Sequence, residues 1–343
     1  MCNIAGYVGN LNATDVLIKL IKAQEGLDCG FYTGIAVHDG ENLCYQKTVG
    51  DLSTLLTTTN AQTFKGNMGV VHSRTPSGGD KEWAHPFYSY KNGDLKQCYV
   101  ANGSIGCFIN NNERYNQIAT NLYNEGYNLP SKNYSGSDLF NKLPNGASVH
   151  LSDIMCQLIF KYKQDGLDTI TAFTNACYTV PKEIVGLLIE KETPNAIYFS
   201  RINMPMFVGF DDNGAYLVSS PTAFPSTVKE FKLLPALSSG VVYKDRVVIK
   251  KYQKFHKKVR RFTTKTIEKV SDIIFNSISD SPKSFDDFRL KLMPLYKDDK
   301  LTQLNTIVYL AIYKLLKEDK ITFTYTSVTV DGLTAPKILI AKK

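Results

Sequence analysis

An α+β fold with antiparallel sheets, followed by a smaller unit of helices and one hairpin, is what the order of local patterns in this sequence predicts. Short β-rich runs dominate the chain to about residue 250, separated by Gly, Asn, Asp and Pro turn signals. Only three helical stretches interrupt them, which does not match the strict strand-helix alternation of a doubly wound parallel sheet. Beyond a basic run the periodicity changes to that of helices.

The strand-forming runs are, in order, "CNIAGYVG", "TGIAVHD", "LCYQKTVG", "MGVVHSR", "QCYVANG", "EIVGLLIE", "AIYFS", "MFVGF", "AYLVSS" and "GVVYKDRVVI". They are rich in β-branched and aromatic residues that suit a pleated, half-buried surface. Helices are expected in "ATDVLIKLIKAQEGL" and "NNERYNQIATNLYNEGY", where apolar residues recur three and four apart. A third, "LSDIMCQLIFKYKQDG", begins with a Ser-x-x capping position at Ser152 and ends at Gly166. The C-terminal helices are "TIEKVSDIIFNSIS", "SFDDFRLKLMPLY" and "LTQLNTIVYLAIYKLLKEDK"; in the last, Leu304, Val308, Ala311 and Leu315 share one face. Two strands, "ITFTYTSVTV" and "PKILIAKK", then flank "DGLTA". Three helices and a hairpin look like a winged-helix module. The expected division is therefore a domain of residues 2-252 and a winged-helix-like domain of residues 253-343.

The chain has 343 residues, 43% hydrophobic and 21% charged, an ordinary globular composition that can bury a large core. No apolar run approaches the roughly 20 residues needed to span a bilayer, and the first residues lack the pattern of a signal peptide. A cytoplasmic protein is expected. Seven cysteines without a CxxC spacing argue against a disulfide framework and a zinc site, so neither metal nor cofactor is expected. The net charge of +8 is concentrated: between Lys244 and Lys269 eleven Lys or Arg stand against two acids, and the remainder is about neutral. That distribution excludes a uniformly nucleic-acid-coating protein.

The opening "MCNIAGYVG" places Cys2 directly behind the initiator methionine. Loss of Met1 would put a thiol and a free α-amine on one residue, a nucleophile and a base together. Downstream, "GVVHSRTPSGGDKEWAHPF" sets Arg74 and Ser77 just beyond a predicted strand, followed by His85 and Pro86. "VANGSIG" ends another strand with Asn102 and Gly103, and "SGSDLF" places Asp138 in a loop. In this order and at these intervals, the segments resemble those of the class II glutamine amidotransferases, whose glutaminase domain is an N-terminal nucleophile hydrolase. Residues 2 to about 250 are most similar to the glutaminase domain of the glucosamine-fructose-6-phosphate aminotransferases. Its rear half is resembled by "GLLIEKETPNAIYFSRINMPMFVGF" and "YLVSSPTAFPSTVKEFKLLPALSSGVVY".

The resemblance implies a four-layer αββα fold and hydrolysis of L-glutamine through a thioester on Cys2. Asn102 and Gly103 would form the oxyanion hole, one through its side-chain amide and the other through its backbone N–H. Arg74 would fork onto the glutamine α-carboxylate, Ser77 would add a hydroxyl bond to it, and Asp138 would pair with the α-ammonium. His85 joins the substrate-binding set by position, although His72 and His85 both read as structural, hydrogen-bonded histidines rather than catalysts. The chain departs from the family at Asn3, where Gly is usual, at Thr75, where an aromatic is common, and at Ala101, where His is frequent. The segment after residue 250 is too short for the sugar-isomerase half. The expected partners are therefore L-glutamine and a separate ammonia-accepting synthase or isomerase subunit, with self-association open. The alternative is a glutamine-binding regulatory module that contacts DNA or protein without catalysis. The C-terminal unit is expected to mediate protein contacts, to bind nucleic acid weakly at most, and to be dispensable for basal activity.

Overall fold

The structure is a computed structural model that describes residues 2-76, 78-103, 112-134, 140-278, 281-296 and 300-343. The chain first forms β1 (Asn3–Gly9), α1 (Ala13–Lys22), β2 (Tyr32–His38), β3 (Leu43–Val49), α2 (Leu52–Thr58), β4 (Met68–Arg74), β5 (Phe87–Lys91) and β6 (Asp94–Gly103). It continues through α3 (Glu113–Asn124), β7 (Asn141–Lys142), β8 (Ser148–Val149), α4 (Leu151–Gln164), α5 (Thr169–Thr179), β9 (Ile184–Glu190) and β10 (Ile197–Arg201). Then come β11 (Phe207–Asp211), β12 (Gly214–Val218), β13 (Phe231–Leu233), β14 (Ser238–Val242) and β15 (Val247–Lys251). The C-terminal elements are α6 (Thr264–Ser277), β16 (Lys283–Ser284), α7 (Phe285–Leu292), α8 (Leu304–Lys317), β17 (Ile321–Val330) and β18 (Leu333–Lys342).

Two antiparallel sheets form the centre, with strand orders β13-β11-β12-β1-β4-β2-β3 and β15-β14-β10-β9-β6-β5. Their inner faces meet in one core, where Ile4, Val70 and Leu217 pack against Val100, Leu187 and Phe199. Side chains alternate across a strand. Ile4 and Val8 of β1 therefore enter this core, whereas Ala5 and Tyr7 face outward beneath α1 and α2 with Leu17, Leu20 and Leu55. On the far side α3, α4 and α5 cover the second sheet, with Ile154, Ile159 and Phe173 on Tyr99 and Leu188. The layers thus run α-β-β-α, and the α+β, antiparallel expectation holds.

Local details differ from the sequence reading. Helices α2 and α5 are additional; α2 is only 7 residues long, and α5 is rich in Thr, a residue of modest helix propensity. Both are capped by an aspartate, Asp51 and Asp168, whose side chains accept the N–H of Thr54 and Thr171. The cap of α4 is His150, not Ser152: the His150 Nδ1 accepts the Ser152 N–H at 3.1 Å. "GVVYKDRVVI" is a hairpin, β14 and β15, that turns through residues 243-246. Its outer strand is a sheet edge whose Lys250 and Lys251 are exposed, a charge placement that discourages pairing with another chain.

The C-terminal helices and the β16-β18-β17 sheet share a core built from Val270, Ile274, Phe285, Phe288, Val308, Ile312 and Ile340, which also takes in Leu27 from the N-terminal part. Helix α8 docks on the rear of the sheet system. Gln303 Oε1 accepts from the buried Arg201 guanidinium at 2.7 Å, and the Thr302 carbonyl accepts from Asn203 Nδ2 at 2.8 Å. The Ile338 N–H of β18 donates to the Gly26 carbonyl at 2.8 Å. These contacts tie the C-terminal elements into the N-terminal fold.

Candidate active site

Cys2 lies just before β1, the strand held between β12 and β4. Because Asn3 is registered opposite Ser73, the end of β4 arrives beside Cys2 and delivers Arg74 and Thr75. The Thr75 N–H donates to Cys2 Sγ at 3.4 Å, and the Thr75 hydroxyl lies 3.6 Å from the same sulfur. Two polar groups of one residue thus hold the half-buried thiol.

The second sheet contributes Asn102, near the end of β6. Its Nδ2 donates to the Cys2 carbonyl at 2.7 Å, and the side chain is fully buried. An amide nitrogen carries two N–H groups, so this bond leaves a second donor on the atom that anchors Cys2. Gly103 follows at the strand end, paired with Ile184 of β9.

Arg74 is 2% exposed. Its guanidinium donates to the Gly78 carbonyl at 2.7 Å and to the Trp83 carbonyl at 3.1 Å, and it stacks on the Tyr32 ring at 4.4 Å. Burial pulls its pKa down, while negative charge on Cys2 would hold it up. A fork oriented in this way against carbonyls and a ring suits a planar carboxylate better than a flexible ammonium would.

His72, His85 and His150 form a buried aromatic cluster behind these residues. The His72 and His85 rings stack at 3.9 Å, and His150 meets His85 edge-on at 5.6 Å. Burial drives the His72 pKa to about 3 and those of His85 and His150 well below the usual value. All three are neutral at physiological pH, so Arg74 alone among these four residues brings a permanent positive charge. His72 Nε2 donates to the Ala101 carbonyl at 3.0 Å. His85 is enclosed, and neither of its ring nitrogens has a hydrogen-bond partner among the described residues.

On the opposite side of β1 lies a polar layer. Asn3, pointing away from the intersheet core, has Nδ2 within 3.3 Å of Gln24 Oε1 and Ser219 Oγ and 3.2 Å from the Tyr309 hydroxyl, and its Oδ1 accepts from Cys29 Sγ at 3.0 Å. Glu25 accepts from Ser73 Oγ and the Leu52 N–H, both at 3.0 Å, yet desolvation pushes its pKa up to about 7. Among the described residues no cluster of three or more His, Cys, Asp or Glu could hold a metal ion.

The structure therefore brings Cys2, Asn102 and Arg74 together, with Gly103 next to Asn102 in the chain and His85 buried behind. Ser77 and Asp138 lie outside the described residues. The sequence reading marks Thr75 only as a departure from the family pattern, without a role at the site, and does not name Tyr32. Thr75 carries a signal as the residue after Arg74 that departs from the family's aromatic, and Tyr32 reads locally as a strand aromatic.

No family model matches the chain. Among curated proteins it is similar to the glutamine-fructose-6-phosphate aminotransferase (isomerizing) of Streptococcus pyogenes serotype M6, 26% identical over 257 residues. The match covers 74% of this chain and 37% of that protein. The Staphylococcus aureus enzyme of the same name is 26% identical over 254 residues, 73% of this chain and 37% of the relative. The chain thus spans little more than a third of the length of these curated relatives. Among solved structures, the glutamine phosphoribosylpyrophosphate amidotransferase from B. subtilis aligns with a TM-score of 0.57 and 15% identity over 78% of this chain and 52% of that one. A structure described as the allosteric regulatory enzyme of purine biosynthesis aligns with a TM-score of 0.57 and 13% identity, covering 91% and 63%. This is the class II glutamine amidotransferase fold. In this fold, strands from both sheets converge on Cys2: β4 leads to Arg74 and Thr75, and β6 carries Asn102.

Proposed function

We propose that the protein hydrolyses L-glutamine to L-glutamate and ammonia and passes the ammonia to a separate synthase, isomerase subunit or other acceptor. The observation that carries this reading is the bond from Asn102 Nδ2 to the Cys2 carbonyl, which joins an amide donor to the nucleophile's own residue across 100 positions of sequence. Sequence similarity to glutamine-using relatives supports the substrate.

After removal of Met1, the neutral α-amine of Cys2 takes the thiol proton, directly or through water, and the sulfur attacks the side-chain amide carbon of glutamine. The carbonyl π-electrons move to oxygen, where the second Asn102 N–H and the Gly103 N–H receive the negative charge. Collapse of the tetrahedral intermediate breaks the C–N bond. The ammonium on Cys2 returns its proton to the leaving nitrogen, so ammonia departs and a thioester remains. Water then attacks the thioester with the same amine as base, releasing glutamate and restoring the thiol. Arg74 binds the α-carboxylate, Ser77 adds a hydroxyl bond, and Asp138 pairs with the α-ammonium. His85, being neutral and enclosed, would support the binding wall rather than neutralise the carboxylate.

We read residues 2-252 as the glutaminase domain and residues 253-343 as a winged-helix-like domain turned to protein contacts. The burial of α8 supports this: eight of its 14 residues are buried, so its apolar face is taken up inside the chain rather than offered to a groove of DNA. Among the described residues no helix is long and apolar enough to cross a membrane. Glutaminase turnover by the purified protein, measured as glutamate released, tests the assignment. Turnover that Cys2→Ala abolishes is expected; glutamine binding without hydrolysis would favour a regulatory glutamine sensor.

A further inference from the structure

Building on the glutaminase reading, we propose that Tyr309, on helix α8 of the C-terminal unit, is a positioning residue for the Cys2 nucleophile. Tyr309 is fully buried and stacks on Phe285 at 4.4 Å. Its hydroxyl accepts from Asn3 Nδ2 at 3.2 Å, across 306 positions of sequence. Asn3 is the residue bonded directly to Cys2, and consecutive Cα atoms are only about 3.8 Å apart, so a shift of Asn3 is a shift of the nucleophile.

Cys2 is thereby held from three directions. Asn102 holds its carbonyl from the second sheet, and Thr75 holds its sulfur from the end of β4. Behind the strand, Asn3 is drawn towards Gln24 at the end of α1, Ser219 after β12, Cys29 in the loop before β2, and Tyr309. Of these four partners, Tyr309 is the one supplied by the C-terminal unit, beyond the N-terminal part of the chain that aligns with the curated relatives. A second contact runs in the same direction. Val328, Val330, Leu333 and Ala335 of the C-terminal hairpin pack with Phe31 and Tyr32, and Tyr32 is the ring on which Arg74 stacks. The C-terminal unit thus touches the supports of both the nucleophile and the carboxylate fork.

Tyr309→Phe isolates the hydroxyl. The two N–H groups of Asn3 keep Gln24 and Ser219 as acceptors, so the variant leaves no buried donor unsatisfied and is expected to fold. Competent sites are counted by stoichiometric labelling with 6-diazo-5-oxonorleucine, and turnover is expressed per labelled site. The expected result is a kcat about 5- to 10-fold lower per site with an unchanged KM for glutamine. In a cycle with Asn3→Ala, the double variant should be no slower than the slower single one. A merely structural role would reduce the number of labelled sites and the melting temperature while leaving kcat per site as in the wild type, and that result would overturn the proposal. If the wild type itself shows no turnover, the glutaminase reading fails, but the positioning claim is still decided. The rate of Cys2 alkylation by iodoacetamide, followed by peptide mass, should then fall in Tyr309→Phe, and equal rates in the two proteins would sink it.

Discussion

Asn102 and Cys2, 100 residues apart, are joined by a 2.7 Å hydrogen bond from the Asn102 amide to the Cys2 carbonyl. The bond ties the last residues of a strand in one sheet to the residue preceding the central strand of the other. Any change of packing between the two sheets is therefore felt at Cys2.

Maturation is the first consequence. Intact mass should show loss of Met1, because a small second residue permits removal and the mechanism requires a free amine on Cys2. Cys2→Ala should abolish hydrolysis together with labelling by an electrophilic glutamine analogue. Labelling that persisted at Cys29 or Cys177 would identify a different nucleophile, although burial raises the pKa of both thiols and works against it.

Binding and chemistry should separate between Arg74 and Asn102. Arg74→Ala is expected to raise KM for glutamine by the equivalent of about 2 to 5 kcal/mol, the range seen when a buried charge pair loses a partner. Asn102→Ala should lower kcat by about 100- to 1000-fold, as loss of an oxyanion donor does. A variant of Asn102 that changed KM alone would remove it from the oxyanion hole.

Glu25 should make stability fall with rising pH over a defined window. Its pKa is about 7 in the fold against an ordinary value of 4.5, chiefly because desolvation disfavours the carboxylate. Between those values the folded chain keeps a proton that the unfolded chain releases, so this contribution is present below pH 4.5 and lost as pH rises through 7. The melting temperature of Glu25→Gln minus that of the wild type should therefore climb from pH 4.5 to 7 and then level off. A flat difference across the window would show that Glu25 titrates as an exposed acid does.

Truncation after residue 255 is expected to destabilise the whole protein, contrary to the dispensable tail suggested by the sequence. It would expose Leu27 and strip Gln303 from the buried Arg201, Thr302 from Asn203 and Tyr309 from Asn3. A buried polar group left unpaired costs about 1 to 3 kcal/mol, more when charged. Thermal unfolding of the truncated chain measures this, and a melting temperature equal to that of the full chain would restore the independent-tail view.

What the sequence determined by itself was the material of each element and of the site. Alternating β-branched and aromatic residues specify half-buried strands, apolar residues three and four apart specify helix faces, and Cys2, Arg74 and Asn102 could be proposed as site residues because their side-chain chemistry is intrinsic and their segments resemble a known set. Elements with weak local signals were less legible. The short α2 and the Thr-rich α5 have little propensity of their own and depend on aspartate caps and tertiary burial. Only the tertiary structure decided that Thr75 faces the Cys2 sulfur, that Tyr32 supports Arg74, that three histidines pack into a neutral cluster, and that Tyr309 reaches Asn3. Those relationships join residues far apart in the chain. They arise when whole sheets and helices bury their apolar faces together, and no local pattern at either residue records which distant group the packing will bring beside it.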